Sequence, residues 1–272
     1  MNFNRKLIIG VVHLPPLPGS PWFRGDCGEV VAHAVADACA LAQGGVQAVI
    51  VENFGDAPFF PDLVPPETVA NMTLAAAEIA QAVRIPIGIN VLRNDARAAL
   101  AIAHAVGGHF IRVNVHTSAM LTDQGVIEGR AAETLRMRRA LPAENISIFA
   151  DVLVKHATPL GAVSLLEAAQ DTVRRGLADA IILTGTATGA PCPLDEVQAV
   201  KAALPHVPVL VGSGVTAETV RATLKVADGV IVGSSLKTDG IVTNPVEIAR
   251  VREFVAAARR RDPAGGRKSR PK

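Results

Sequence analysis

Aromatic residues are scarce in this sequence: they make up 3% of its 272 residues, with no tyrosine and one tryptophan. Aromatic rings are the usual stacking platforms for nucleic-acid bases, so their scarcity argues against a base-binding surface. A basic face is missing as well. The net charge is only +2, and residues 259–272 hold seven Lys or Arg and one Asp, so the rest of the chain is acidic. We therefore expect no nucleic-acid partner.

Cysteines and long apolar runs are also few. The three cysteines, Cys27, Cys39 and Cys192, are widely spaced and odd in number, which argues against a disulfide framework and a cysteine zinc site. No run approaches the roughly 20 apolar residues of a membrane span. The first apolar run is broken by His13 and prolines, unlike the core of a signal peptide. These absences predict a reduced, cytoplasmic protein.

The basic residues near the end form a distinct segment. We interpret residues 1–258 as a single domain and residues 259–272, which contain two glycines and two prolines, as a basic tail that is disordered. Peripheral contact with an acidic membrane surface through this tail is an alternative use of its charge.

Branched aliphatic residues are abundant and follow a regular order. Apolar, β-branched runs alternate eight times with alanine-rich amphipathic stretches, which predicts strands at residues 7–12, 48–52, 86–91, 110–115, 147–151, 180–184, 207–211 and 229–232. Continuous apolar runs are typical of parallel strands buried on both faces. The pattern predicts an α/β fold, a closed (β/α)8 TIM barrel. An open doubly wound sheet is the alternative, but no Gly-x-Gly-x-x-Gly follows the first strand.

Two glycine loops follow the seventh and eighth predicted strands. Glycine permits sharp turns that expose main-chain N–H groups, and serine adds a small hydroxyl donor. Phosphate commonly binds at these two loops in β/α barrels. We predict that the loops bind a phosphate group through Gly212, Ser213, Gly214, Gly233, Ser234 and Ser235. Ordinary strand-to-helix turns are the alternative.

Polar residues also follow the other strands, at the end where such barrels have their active sites. The candidates for substrate binding are His13, Asn90, Asn114, Thr184 and Thr186. A random soluble chain would scatter these groups over helix faces and both ends of the barrel.

Two carboxylates are the candidates for proton transfer. Glu52 and Asp151 end the second and fifth predicted strands, nearly across the barrel mouth, where a shielded carboxylate can act as a general acid or base. The alternative is a structural role, in which each carboxylate holds loop N–H groups or an arginine such as Arg93 or Arg112.

Lys155 and His156 follow Asp151 closely and complete the predicted catalytic set. Lys155 could form an imine with a carbonyl substrate or pair with an anion, and its position beyond the strand makes the imine the less suited role. His156 could move protons. Both residues could equally be ordinary loop residues.

A divalent metal is a possible cofactor, and no other cofactor is indicated. His13, Glu52, Asp151 and His156 could converge as mixed nitrogen and oxygen ligands, although their spacing matches no metal motif.

Two long loops hold five of the nine aromatic residues. They span residues 13–26 and 52–67, and loops of this length are usually lids or contact surfaces. We favour contact with a second subunit, and so predict a homo-oligomer.

Several strings together resemble the BtpA family, which also includes SgcQ-type proteins. They are VVHLPPLPGSP (11–21), VENFGDAPF (51–59), GINVLRND (88–95), IRVNVH (111–116), DQGVIEGRA (123–131), DVLVKHA (151–157), ILTGTATG (182–189) and VLVGSGV (209–215). The resemblance spans almost the whole chain and ends before the tail. It implies a β/α barrel of the ribulose-phosphate-binding type and a family role in photosystem I biogenesis, without a defined reaction.

The sequence therefore supports two hypotheses of function. The first is an enzyme that acts by acid/base chemistry on a small phosphorylated sugar or nucleoside-like substrate, as an isomerase, lyase or hydrolase. The alternative is a non-catalytic biogenesis or assembly factor for photosystem I or another membrane complex. The polar ring at the barrel mouth favours the enzyme, since a scaffold does not need it.

Overall fold

Eight parallel strands form a closed barrel in the computed structural model, which describes residues 6–185 and 189–260. The strands in chain order are β1 (Leu7–His13), β2 (Ala48–Glu52), β3 (Ile87–Asn90), β4 (Phe110–Val113), β5 (Ala119–Thr122), β6 (Gly125–Glu128), β7 (Ser147–Asp151), β8 (Ala157–Pro159), β9 (Ala180–Leu183), β10 (Val209–Val211) and β11 (Gly229–Val232). The barrel order is β1-β11-β10-β9-β7-β4-β3-β2, and β1 pairs with both β2 and β11. The predicted TIM barrel is confirmed.

Eight helices cover the outside of the barrel within the described ranges. They are α1 (Cys27–Gly44), α2 (Pro66–Ala82), α3 (Ala96–Val106), α4 (Ala131–Ala140), α5 (Leu165–Arg174), α6 (Leu194–Ala203), α7 (Val220–Val226) and α8 (Ile248–Arg259). Helix α8 ends at Arg259, beside the predicted domain boundary, and the predicted tail from residue 261 onward lies outside the described residues. Each described helix is too short or too polar to cross a lipid bilayer.

Alternation along the strands decides which side chains enter the barrel. An interior cluster of apolar side chains comes from alternate positions of seven strands, whereas the intervening side chains pack against the helices. At its centre the rings of Phe110 and Phe149 stack with centroids 4.6 Å apart. Gly88 makes room for them, because a Cβ atom there would lie 2.2 Å from the Phe110 ring. These side chains pack the part of the barrel interior toward the amino ends of the strands, which we call the lower interior.

A small antiparallel sheet, which the sequence does not predict, lies at the carboxyl end of the barrel. Its strand order is β6-β5-β8, and β5 and β6 form a hairpin whose tip is Asp123 and Gln124. Met120 and Ile127 pack inward on Val115 and Val154. The sheet positions the hairpin tip at the edge of the barrel mouth.

Candidate active site

A cavity of about 480 Å³ occupies the barrel mouth at the carboxyl ends of the strands. Twelve of the fifteen predicted site residues line it: His13, Glu52, Asn90, Asn114, Lys155, His156, Gly212, Ser213, Gly214, Gly233, Ser234 and Ser235. Asp151 and Thr184 are not among the lining residues, and Thr186 lies outside the described residues. The structure thus brings together the two glycine loops and most of the predicted polar ring.

Arg112 on β4 is the centre of the polar cluster. Its side chain is buried and donates from Nη1 to Glu52 Oε1 at 3.1 Å. It also donates from Nε and Nη2 to the two carboxylate oxygens of Asp151, at 3.0 and 3.2 Å. This two-point contact is the strongest geometry for an arginine and a carboxylate. Glu52 and Asp151 are therefore joined through one guanidinium instead of facing each other directly.

The charges around Arg112 determine its protonation. Burial alone would lower the pKa of this guanidinium, but Asp151 and Glu52 more than offset that effect and raise the pKa above its ordinary value. Arg112 therefore stays charged and keeps two anionic partners. This geometry agrees with the alternative to proton transfer for Asp151, in which its carboxylate has a structural role and holds an arginine.

A hydrogen-bonded chain runs from Asp151 to the cavity wall. Asn114 Nδ2 donates to Asp151 Oδ2 at 2.7 Å, so Asn114 Oδ1 is an acceptor and receives a bond from Asn90 Nδ2 at 3.0 Å. Asn90 Nδ2 also donates to the Arg112 carbonyl at 3.1 Å. Asn90 Oδ1 is consequently an acceptor, and it is buried without a partner among the described residues. This series of hydrogen bonds fixes the orientation of the side-chain amides of Asn90 and Asn114.

Lys155 lies in the cavity wall and is held through its main chain. Its N–H donates to Thr184 Oγ1 at 3.2 Å, and its carbonyl accepts from Arg93 Nη2 at 2.8 Å. Burial, together with the charge of Arg112, lowers the pKa of the Lys155 amine, and Glu52 and Asp151 only partly offset this. Thr184 thus supports Lys155 instead of lining the cavity.

His13 and His156 stand in different surroundings. Burial, then the charges of Lys237 and Lys155, lowers the pKa of His13 to about 3, so its ring is neutral at pH 7. The ring packs edge-on against Phe54 with centroids 4.8 Å apart. His156 is exposed, and its main chain has a φ of 58°. Although His156 is exposed overall, partial desolvation of its ring, followed by the charge of Lys155, lowers its pKa as well.

The two glycine loops meet on one side of the cavity. Ser213 Oγ accepts from the Gly185 N–H at 2.8 Å and donates to the Ala190 carbonyl at 3.2 Å. Ser235 Oγ donates to the Val215 carbonyl at 3.0 Å. These hydroxyls hold the loops in place, whereas the Ser234 hydroxyl bonds to no described residue and remains available to a ligand.

A buried ion pair holds the second glycine loop, which contains Gly233 and Ser234, against helix α1. A short 3-10 turn, Ser234–Leu236, follows Gly233, and the next residue, Lys237, is 1% exposed. Its Nζ lies 2.6 Å from Asp37 Oδ2 on α1. Burial would raise the pKa of Asp37, but hydrogen bonds from His33, Lys237 and the Val246 N–H lower it below its ordinary value. The pair ties the second loop to α1.

The four residues proposed as metal ligands do not form a cluster. Within residues 6–185 and 189–260, no group of three or more His, Cys, Asp or Glu side chains is arranged to hold a metal ion. Arg112 occupies oxygens of Glu52 and Asp151 that a metal would need.

The aromatic loops contribute to the cavity as well as to the surface. Phe54 and Phe59 line the cavity, whereas Trp22 and Phe60 are 62% and 56% exposed. The predicted contact of these loops with a second subunit stays a prediction.

Arg112, Arg93 and Gln124 line the cavity without having been predicted as site residues. A usable signal existed for Arg112: a charged residue within the apolar run Ile111–Val113 shares its strand face with Phe110 and so must enter the barrel. No comparable signal marks Arg93, which follows β3 in a loop.

Comparisons with known proteins agree with this architecture. The sequence model described as "BtpA family" matches residues 4–260. The chain is 49% identical to the photosystem I biogenesis protein BtpA of Synechocystis, over 97% of this chain and 90% of that protein. It is 48% identical to a protein of the archaeon Thermococcus kodakarensis, over 95% of this chain and 97% of the relative. A protein of Caenorhabditis elegans is 35% identical, over 94% of each chain.

Solved structures with the same fold are more distant in sequence. Thiamine phosphate pyrophosphorylase from Pyrococcus furiosus superposes with a TM-score of 0.58 at 14% identity, over 93% of this chain and 95% of that one. Tryptophan synthase from M. tuberculosis gives a TM-score of 0.60 at 20% identity, over 94% and 93% of the two chains. At these identities the likeness shows the fold alone. The family match over residues 4–260 and the sequence identities establish that this chain belongs to the BtpA family.

Proposed function

We propose that the protein is an enzyme that acts on a small phosphorylated sugar or nucleoside-like compound by acid/base chemistry. One observation carries the proposal: a single cavity joins the two glycine loops to the cluster of Glu52, Arg112 and Lys155. One side of the cavity thus offers small, donor-rich turns, and the other offers groups that can move protons or stabilise negative charge.

The phosphate group would lie at the glycine loops. Gly214 has a φ of 69°, and the hydroxyls of Ser213 and Ser235 are engaged in holding the turns, which leaves the hydroxyl of Ser234 for a ligand. Loops after the last two barrel strands are the common phosphate site of this architecture. Among the structures that share the fold, one from Pyrococcus furiosus is named N-(5'-phosphoribosyl)anthranilate isomerase, at 15% identity and a TM-score of 0.57.

Glu52 is our candidate for the proton-transfer group. Arg112 binds its Oε1, while Oε2 accepts no hydrogen bond from a described residue, and the side chain lines the cavity. Asp151 does not line the cavity, and its carboxylate accepts hydrogen bonds from Arg112 and Asn114. We therefore assign proton transfer to Glu52 and a positioning role to Asp151. An isomerisation, a carbon–carbon cleavage or a hydrolysis can each use this arrangement.

A thermal-shift assay with sugar phosphates and inorganic phosphate tests the proposal. A ligand at 100 times its dissociation constant should raise the stability of the protein by about 2.7 kcal/mol. Ser234→Glu places a carboxylate at the loops and should abolish the shift. Gln198→Glu adds the same charge on the exposed face of α6 and should preserve it. A shift that persists in Ser234→Glu would contradict a phosphate site at these loops.

A second candidate is a non-catalytic assembly factor for photosystem I or another membrane complex. The name of the Synechocystis relative favours it. Relatives in an archaeon and a nematode, organisms that do not photosynthesise, favour a function independent of photosystem I. Copurification of a membrane complex, together with no stabilisation by any phosphorylated compound, would support the assembly factor and exclude the enzyme.

A further inference from the structure

We propose that Lys155 is the nucleophile of the site, and that it binds an aldehyde or ketone substrate covalently as an imine on its Nζ. The inference rests on the proposed function, because it assigns a substrate class and a covalent step to the same cavity.

Within residues 6–185 and 189–260, no side chain bonds directly to the amine of Lys155 to hold it as an ammonium ion. Among the residues that the structure describes, Nζ makes neither a hydrogen bond nor an ion pair, although Lys155 lines the cavity. Other lysines differ in this respect. Lys6 and Lys201 both approach Asp228, and Lys237 pairs with Asp37. The amine of Lys155 is therefore available to a ligand, whereas the other three amines lie next to a carboxylate.

The backbone below this amine is fixed, so the side chain is presented from a rigid base. Main-chain hydrogen bonds to Thr184 and from Arg93 hold both the N–H and the carbonyl of Lys155. The flanking residues Leu153 and His156 have φ values of 48° and 58°, in the region that non-glycine residues rarely adopt. Such unfavourable backbone conformations concentrate at functional sites. The structure thus constrains the segment that carries Lys155, while the Lys155 amine bonds to none of the described residues.

Neighbouring positive charge favours the reactive form of the amine. Arg93 and Arg112 line the same cavity as Lys155. Desolvation and cationic neighbours are the two means by which enzymes obtain an unprotonated lysine near neutral pH, and the lowered pKa of Lys155 agrees with both. Only the unprotonated amine can attack a carbonyl carbon.

The covalent step is balanced with groups that the cavity contains. The Nζ lone pair forms a C–N bond to the carbonyl carbon as the C=O π electrons move to the oxygen, and one proton passes from the nitrogen to that oxygen, which gives a neutral carbinolamine. The nitrogen then forms the C=N bond as the oxygen leaves with a second proton as water, so the amine, the carbonyl compound and one proton yield a protonated imine and water. Glu52 is placed in the same cavity to deliver and recover protons. Water reverses the sequence and releases the product.

Reductive trapping tests this assignment without knowledge of the natural substrate. The full-length protein is treated with limiting pyridoxal 5'-phosphate or pyridoxal, then with borohydride, which reduces an imine to a stable secondary amine. Peptide mass spectrometry locates the label. We expect Lys155 to carry most of it, and Lys6 and Lys201 to carry little. Labelling of Lys155 no greater than that of Lys6 would overturn the proposal.

Two variants separate the chemistry from the charge. Lys155→Arg keeps a cation in the cavity but cannot form an imine, and Lys155→Met removes the charge. Both keep the main-chain bonds to Thr184 and Arg93, so both are expected to fold. Each should lose the dominant label while the thermal shift with inorganic phosphate persists in Lys155→Arg. An unchanged total label in Lys155→Arg would show that the trapped amine lies elsewhere.

The two probes also distinguish this inference from the proposed phosphate site. Faster labelling of Lys155 by pyridoxal 5'-phosphate than by pyridoxal supports both the Lys155 nucleophile and the phosphate site. Equal labelling of Lys155 by the two probes supports the nucleophile and contradicts the phosphate site. Stabilisation by inorganic phosphate without any label on Lys155 supports the phosphate site and overturns the nucleophile.

Discussion

The same strands form the lower interior, toward their amino ends, and the upper interior, toward their carboxyl ends and the cavity, but the two parts have opposite characters. In the lower interior, buried apolar side chains such as Ile50, Phe110 and Phe149 form one packed cluster. Two residues further along β2, β4 and β7, the inward side chains are Glu52, Arg112 and Asp151. The alternation of side chains along a strand directs both sets into the barrel. What differs is how each set is stabilised.

Burial of apolar area stabilises the lower interior, so each of its side chains contributes largely on its own. In the upper interior, Arg112 is buried with two carboxylates, and the cluster tolerates burial only while its charges are paired. On this comparison, apolar burial in the lower interior supplies stability, and the upper interior holds the charged groups to which we assign the proposed chemistry. It also predicts different responses to substitution.

The largest effect is expected at Arg112. Arg112→Met leaves Glu52 and Asp151 buried without their shared cation and should lower the free energy of unfolding by about 3–5 kcal/mol, measured by urea denaturation. The matched control is Arg130→Met, which breaks an exposed ion pair with Asp62 and should cost less than about 1 kcal/mol.

A further variant isolates the role of charge in this effect. Combining Arg112→Met with Glu52→Gln and Asp151→Asn removes all three charges and should recover part of the loss. A single Arg112→Met variant as stable as the unmodified protein would show that the upper interior does not depend on charge pairing.

An intermediate effect is expected in the lower interior. Gly88→Ala adds a methyl group 2.2 Å from the Phe110 ring and should cost about 2 kcal/mol of stability, again by urea denaturation. Gly161→Ala is the control, because a Cβ atom there meets nothing within 4 Å. Adding Phe110→Leu to Gly88→Ala should relieve the clash. Equal stabilities of the Gly88→Ala and Gly161→Ala proteins would mean that the lower interior is loosely packed.

The smallest effect concerns protonation in the upper interior. The pKa of His13 is about 3 in the folded protein against 6.5 for an unperturbed histidine, so acid protonates the unfolded chain first. Relative to neutral pH, the free energy of unfolding should therefore fall as the pH drops from 6.5 toward 3, by about 1 kcal/mol at pH 5.5.

Urea titrations at pH 7.5 and 5.5 measure this loss. His13→Gln keeps a polar side chain without a titrating group, so its stability should change less between the two pH values than that of the unmodified protein. The same pH dependence in both proteins would place the responsible group elsewhere, for instance at His116, whose pKa burial also lowers.

Much of the fold follows from the sequence because buried parallel strands are continuous apolar runs. All eight predicted barrel strands exist, and their bounds agree with the structure within two residues. The antiparallel sheet was not predicted because its strands are short and half exposed, so the apolar alternation in residues 119–128 is weak. Only the turn at Asp123, Gln124 and Gly125, where Gly125 has a φ of 97°, signals a hairpin.

The site was predicted less completely than the fold. Residues after strands could be assigned to the barrel mouth, but no sequence spacing shows that side chains from β2, β4 and β7 meet at one guanidinium. Asp151 illustrates this limit. Its position at the end of β7 predicts a cavity residue, but its carboxylate is bound by Arg112 and Asn114 and does not line the cavity. Pairing among distant strands depends on the three-dimensional register.

The central claim is that the upper interior is a binding site for a phosphorylated carbonyl compound, and a crystal structure with dihydroxyacetone phosphate tests it most directly. We predict the phosphate group between the loops that contain Gly214 and Ser234, with the carbonyl carbon next to Lys155. A phosphate bound outside the barrel mouth, or a phosphate turned toward Glu52 and Arg112, would contradict the account.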